Sequence, residues 1–79
     1  MPRFVLRVEN GPTKDIRAST LGEAKCEAVR FAGQLICDSA AEFWDSGDFH
    51  MSVTNSDGLV LFTLQFVGTD APAIRGTTH

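Results

Sequence analysis

"TLGEAKCEAVRFAGQLICDS", Thr20 to Ser39, decides how the rest of this 79-residue chain is read. Thr20 followed three residues later by Glu23 is a capping box, in which each side chain satisfies a backbone amide that has no partner inside the helix. At about 100° per residue, Leu21, Ala24, Ala28, Phe31, Ala32 and Leu35 then fall within about a third of the circumference, with Val29 and Ile36 at the shoulder. The stretch is therefore one amphipathic helix, and three alanines on its apolar stripe let it lie close to whatever it covers. Glu23, Glu27, Arg30, Gln34 and Asp38 lie outside the stripe. The pattern can run on into "AAEF", residues 40–43, before "DSGD", residues 45–48, ends it.

The flanking segments supply the surface to be covered. In "RFVLRVE", Arg3 to Glu9, Phe4, Leu6 and Val8 alternate with Arg3, Val5, Arg7 and Glu9, the period of a half-buried strand. Asn10, Gly11 and Pro12 favour a turn, and "DIRA" returns with Ile16 and Ala18 facing the same way as Leu6 and Val8. After the helix, Phe49, Met51 and Val53 alternate with His50, Ser52 and Thr54. In "LVLFTLQFV", Val60, Phe62, Leu64 and Phe66 alternate with Leu59, Leu61, Thr63 and Gln65. "NSDG" between these two runs is a turn. If Val53 and Val60 both face the core they lie opposite one another, which leaves an even loop, Asn55 to Gly58.

The order strand, strand, helix, strand, strand with a right-handed crossover makes the second and third strands parallel, with the first between them. The expected fold is α+β: a ββαββ chain whose four-stranded antiparallel sheet, in order 2-1-3-4, carries one helix on one face. All the strand phenylalanines, residues 4, 49, 62 and 66, fall on the helix side, so the other face is wet. The domain is expected over residues 1–67. Residues 68–79, low in apolar content and without a period, read as a mobile extension.

Cys26 and Cys37 are the two cysteines. Eleven residues apart on a helix they lie within ~20° in angle but about 16 Å apart along the axis, too far to bond to each other. They share a stripe nearly opposite the core face with Arg30 and Gly33. That stripe is either plain solvent-facing surface or a packing seam for a second helix, with a glycine where another backbone could approach.

Composition narrows the class. A chain of this length buries roughly 60% of the surface it exposes when unfolded, enough for one small core. Apolar residues make up 43% and the net charge is −3, ordinary for a globular domain. No apolar run approaches a membrane span, and the start alternates with charges too soon for a signal peptide. These features imply a cytoplasmic protein with reduced thiols and no membrane. Seven basic residues spread over the chain do not form the clustered positive face of a nucleic-acid binder.

Met1-Pro2-Arg3-Phe4, then Leu21, Ala24, Glu27 and Ala28, and the apolar hairpin from Phe49 through Gly58 to Leu64 and Phe66 together resemble a known pattern. It belongs to a family of small alphaproteobacterial proteins of unknown function, and the likeness covers residues 1–66. One departure is "KDIRAST" before the helix, where the family often has an acidic turn with glycine. The resemblance implies the fold and the cytoplasmic location, and it carries no catalytic residue across.

No constellation for catalysis is apparent. His50 is expected alone on the open sheet face near Arg3 or Arg7, and a general base needs an orienting partner and a pocket. The seven glycines form no phosphate loop, the acidic turns lack calcium-loop spacing, and no zinc-like ligand set occurs. We therefore expect no enzyme, no cofactor and no metal. Arg3, Arg7 and Arg17 make at most a short basic strip beside Glu9 and Asp15, and the inward aromatics leave no stacking platform for RNA. The alternative is a nucleic-acid-linked regulatory protein such as an antitoxin-like partner, on fold analogy alone. The preferred expectation is a non-catalytic interaction module that self-associates as a homodimer, with another protein partner also open. Leu59 and Leu61 on the wet face of an edge strand, Val5 nearby, and the helix stripe Cys26, Arg30, Gly33 and Cys37 are its candidate contact residues.

Overall fold

A computed structural model describes residues 2–71. Its elements are β1 (Arg3–Val8), β2 (Thr13–Arg17), α1 (Leu21–Asp38), α2 (Ala40–Ser46), β3 (Asp48–Asn55) and β4 (Val60–Val67). The strands form one sheet in the order β2-β1-β3-β4 with every neighbouring pair antiparallel. Of the expected extension 68–79, residues 72–79 lie outside those described. No described helix is long and apolar enough to cross a membrane.

The helix begins where the capping pattern placed it. The Glu23 amide donates to Thr20 Oγ1 at 3.1 Å, and Glu23 Oε2 accepts from the Ser19 amide at 3.1 Å, one residue earlier than a strict capping box. Ala24, Ala28 and Ala32 are fully buried against Phe4, Leu6, Ala18, Met51 and Val53. Phe31, Phe49, Phe62, Leu64 and Phe66 pack half-buried around this centre, whereas Leu21 and Val29 are exposed.

The expectation of a single helix is corrected: there are two. Ser39 sits at φ −124° and ψ 42°, outside the helical region, so α1 stops there. Its amide donates to the Leu35 carbonyl and its own carbonyl accepts from the Phe43 amide, both at 3.0 Å, so one residue closes α1 and opens α2. Gly47, at φ 83°, ends α2 in the left-handed conformation that glycine takes without a Cβ penalty. The short helix lays Phe43 and Trp44 over the end of β4. A Cβ on Gly68 would come within 2.7 Å of the Trp44 ring.

The β3–β4 loop also differs from expectation. Asn55 Oδ1 accepts from the amides of Asp57 and Leu59, Gly58 at φ 86° donates to the Asn55 carbonyl, and the Asn55 amide donates to the Leu59 carbonyl. These bonds close a three-residue loop, Ser56 to Gly58, on the Asn55–Leu59 pair. Continued regularly, that register would set Val53 against Leu61. Instead it shifts between Val53 and Thr54, so Val53 pairs with Phe62 and Thr54 with Val60, leaving Leu61 as the extra residue of a bulge. Val53 therefore does not face Val60. The bulge keeps Phe62, Leu64 and Phe66 on the core side and turns Val60 outward beside Thr54.

Candidate functional site

The two edges of the sheet are built differently. In β2, Lys14, Asp15 and Arg17 occupy three of the five positions, a charged fringe of the kind that discourages another strand from adding. Arg3 reaches across to Asp15 at 3.3 Å and stands opposite Arg17 in the β1–β2 pair. The eight residues of β4, Val60 to Val67, contain no charge and no proline.

Backbone alternation identifies the free groups of that edge. The Gly68 amide donates to the Gly47 carbonyl at 3.0 Å, so Phe66, Leu64 and Phe62 also turn their backbone groups toward β3. The Glu9 amide takes the His50 carbonyl on the other side of β3, which fits the same alternation. Thr63, Gln65 and Val67 consequently aim their N–H and C=O groups away from the sheet.

Exposed apolar side chains collect along this edge. Leu59 is 64% exposed, Val60 53%, Leu61 37% and Val67 66%. Leu61 lies on the open face, where the alternation of the sequence puts it, but Leu59 does not: it stands opposite Asn55, the partner of the core residue Phe4, so it is turned to the helix side at the exposed end of the sheet. The bulge, which reverses the expected facing of both Leu59 and Val60, sets Val60 beside Leu61 on the open face. Val67 was not among the expected contacts, although alternation carried one step past Gln65 places it in the same outward set. Val5 must be removed from the candidate surface: it is on the open face but only 5% exposed, in a central strand between Asp15 and Thr54.

Thr54 beside it is 4% exposed and its hydroxyl has no hydrogen-bond partner. A buried hydroxyl without a partner carries a desolvation cost, so Thr54→Val, which keeps the shape, is expected to be neutral or to stabilise the fold by up to about 1 kcal/mol. Urea unfolding measures this, and a clear loss of stability would show that the hydroxyl has a partner in solution.

The helix stripe is open. Cys26 and Cys37 are free, exposed thiols, and nothing lies within 4 Å of a Cβ built on Gly33. Arg30 is held by Glu27 at 2.7 Å on its own helix. On the open sheet face Arg7, Glu9, His50, Ser52, Thr63 and Gln65 surround a shallow depression of about 460 Å³. His50 shares that depression with Arg7, as expected, and its Nε2 lies 3.2 Å from Asp48 Oδ2, two residues back on the same strand. Among the described residues no group of three or more His, Cys, Asp or Glu side chains is placed to hold a metal ion.

An antiparallel sheet with helices on one face, one edge fringed with charge and the other bare, places the molecule among small α+β domains. More narrowly, the chain belongs to the family described as Domain of unknown function (DUF6894), whose model matches residues 3–67. That match begins on the first residue of β1 and ends on the last of β4, so it takes in every strand and both helices. The chain has no significant match among curated proteins or among solved structures.

Proposed function

We propose that this is a non-catalytic interaction module of the cytoplasm that self-associates as a homodimer through β4. The observation that carries the reading is the contrast between the edges. An apolar edge strand with unpaired backbone groups is a template for another strand, and natural proteins blunt or cover such edges unless they use them. Here β2 is blunted and β4 is not. The opening Met1-Pro2-Arg3-Phe4 supports placing the chain with alphaproteobacterial members of its family. Two exposed thiols that cannot reach each other suit a reducing compartment. His50, half-exposed in a shallow open depression and not in an enclosing pocket, supports a non-catalytic role.

Light scattering in reductant tests the proposal. The wild-type protein is expected at twice its 8.6 kDa chain mass. Thr63→Lys combined with Val67→Lys is expected at the monomer mass with an unchanged far-UV spectrum, because lysines on the outward face of an edge oppose pairing. A wild-type monomer in reductant, or a dimer that exists only without it through Cys26 or Cys37, would overturn the reading. So would dissociation by Gly33→Arg with the double-lysine variant still dimeric, which would move the contact to the helix stripe.

A further inference from the structure

Resting on that self-association, we propose its geometry: two copies pair their β4 strands antiparallel about a two-fold axis through Gln65, doubling the four-stranded sheet. Among the described residues, the backbone groups of β4 left without a strand partner belong to Thr63, Gln65 and Val67, which form the regular part of the edge, whereas the bulge at Leu61 interrupts the ladder before them. An axis at Gln65 uses only that regular part. It sets Gln65 against Gln65 of the partner subunit and Thr63 against Val67 of the partner subunit. All three resulting pairs are of the hydrogen-bonded kind, roughly six N–H to C=O bonds in total. No like charges meet, since β4 has none.

The same axis accounts for an exposed aromatic that the isolated chain leaves without cover. Trp44 is 55% exposed, and its ring lies over Gly68 where a side chain would otherwise stand. With Gln65 on the axis, Gly68 falls beside Phe62 of the partner subunit on the helix face of the joined sheet, and Phe66 falls beside Leu64 of the partner subunit. Trp44 and the half-buried side chains of β4 then complete each other's packing. An axis at Thr63 would instead lay Gln65 and Val67 across the partner's bulge and leave Gly68 opposite the turn at Gly58 of the partner subunit. Trp44 would stay open.

Cysteine placement tests the axis apart from the dimer itself. In a Cys26→Ser, Cys37→Ser background, Gln65→Cys brings two thiols together on Cα atoms about 5.5 Å apart, within disulfide reach. Thr63→Cys holds them about 14 Å apart along the strands. Under mild oxidation the Gln65→Cys protein is expected to crosslink at least roughly tenfold faster than Thr63→Cys. The emission of Trp44, the single tryptophan, is expected to move to the blue as the protein concentrates into dimer. Faster crosslinking at Thr63 would overturn the axis. So would a dimer by light scattering in which neither position crosslinks, or a Trp44 emission unchanged by dimerisation. A wild-type monomer would overturn self-association and the axis together.

Discussion

Leu6→Ala is expected to lower the unfolding free energy by about 3 kcal/mol. Leu6 and Val53 are the largest fully buried side chains, and they are direct partners across β1 and β3. Above them stand Ala24, Ala28 and Ala32. These side chains are too short to swing into the space a leucine vacates, so the hole persists and its cost adds to the lost transfer free energy. A domain this small has little stability in reserve, and the variant should approach its unfolding midpoint under mild conditions. In urea the midpoint should fall by about 2 M with the slope unchanged, given a slope of roughly 1–2 kcal/mol per molar. A loss under about 1 kcal/mol would mean that the helix settles onto the sheet to fill the gap, contrary to a packing in which short side chains hold it in place.

Ala28→Leu tests the same contact from the opposite side. Ala28 is the middle one of three fully buried alanines spaced one helical turn apart, so α1 lies with its backbone close to the strands. Three added carbons there have no space to enter and must lift the helix, at an expected cost of about 2–3 kcal/mol. For a domain of this length that is a fall of roughly 10 °C or more in melting temperature. Gly33→Ala provides the control on the same helix: nothing lies within 4 Å of its new methyl group, and the change should stabilise α1 by up to about 1 kcal/mol. Equal effects of the two substitutions would refute the assignment of the inner and outer faces.

Much of this fold is legible in the residues alone, and the reason is range. The start of α1 is written in Thr20 and Glu23, three residues apart, and its buried face in the spacing of the alanines. The strands are written in the alternation of Phe4, Leu6 and Val8 and of Phe49, Met51 and Val53. Strand order follows because a right-handed crossover and a shared apolar face leave one convenient place for β1. The same alternation puts Leu61 on the wet face, though not Leu59, which the bulge turns to the helix side, and the same topology makes β4 an edge.

What the sequence could not decide are features whose cause is a balance between distant parts. The break at Ser39 that makes α2 a separate helix depends on where Phe43 and Trp44 must lie to cover Gly68, which is far along the chain and outside any local period. The bulge at Leu61 reconciles a three-residue turn, closed by the side chain of Asn55, with the demand that Phe62 face the core. Val5 alternates as an outward residue should, yet a central strand surrounds it with neighbours on both sides and buries it. By itself, then, the sequence determined the four strands, the start and inner face of α1 and the order of the sheet, because capping and periodicity act over a few residues. The tertiary structure alone decided which outward residues are open to a partner, because exposure depends on how many neighbours the sheet places around each one.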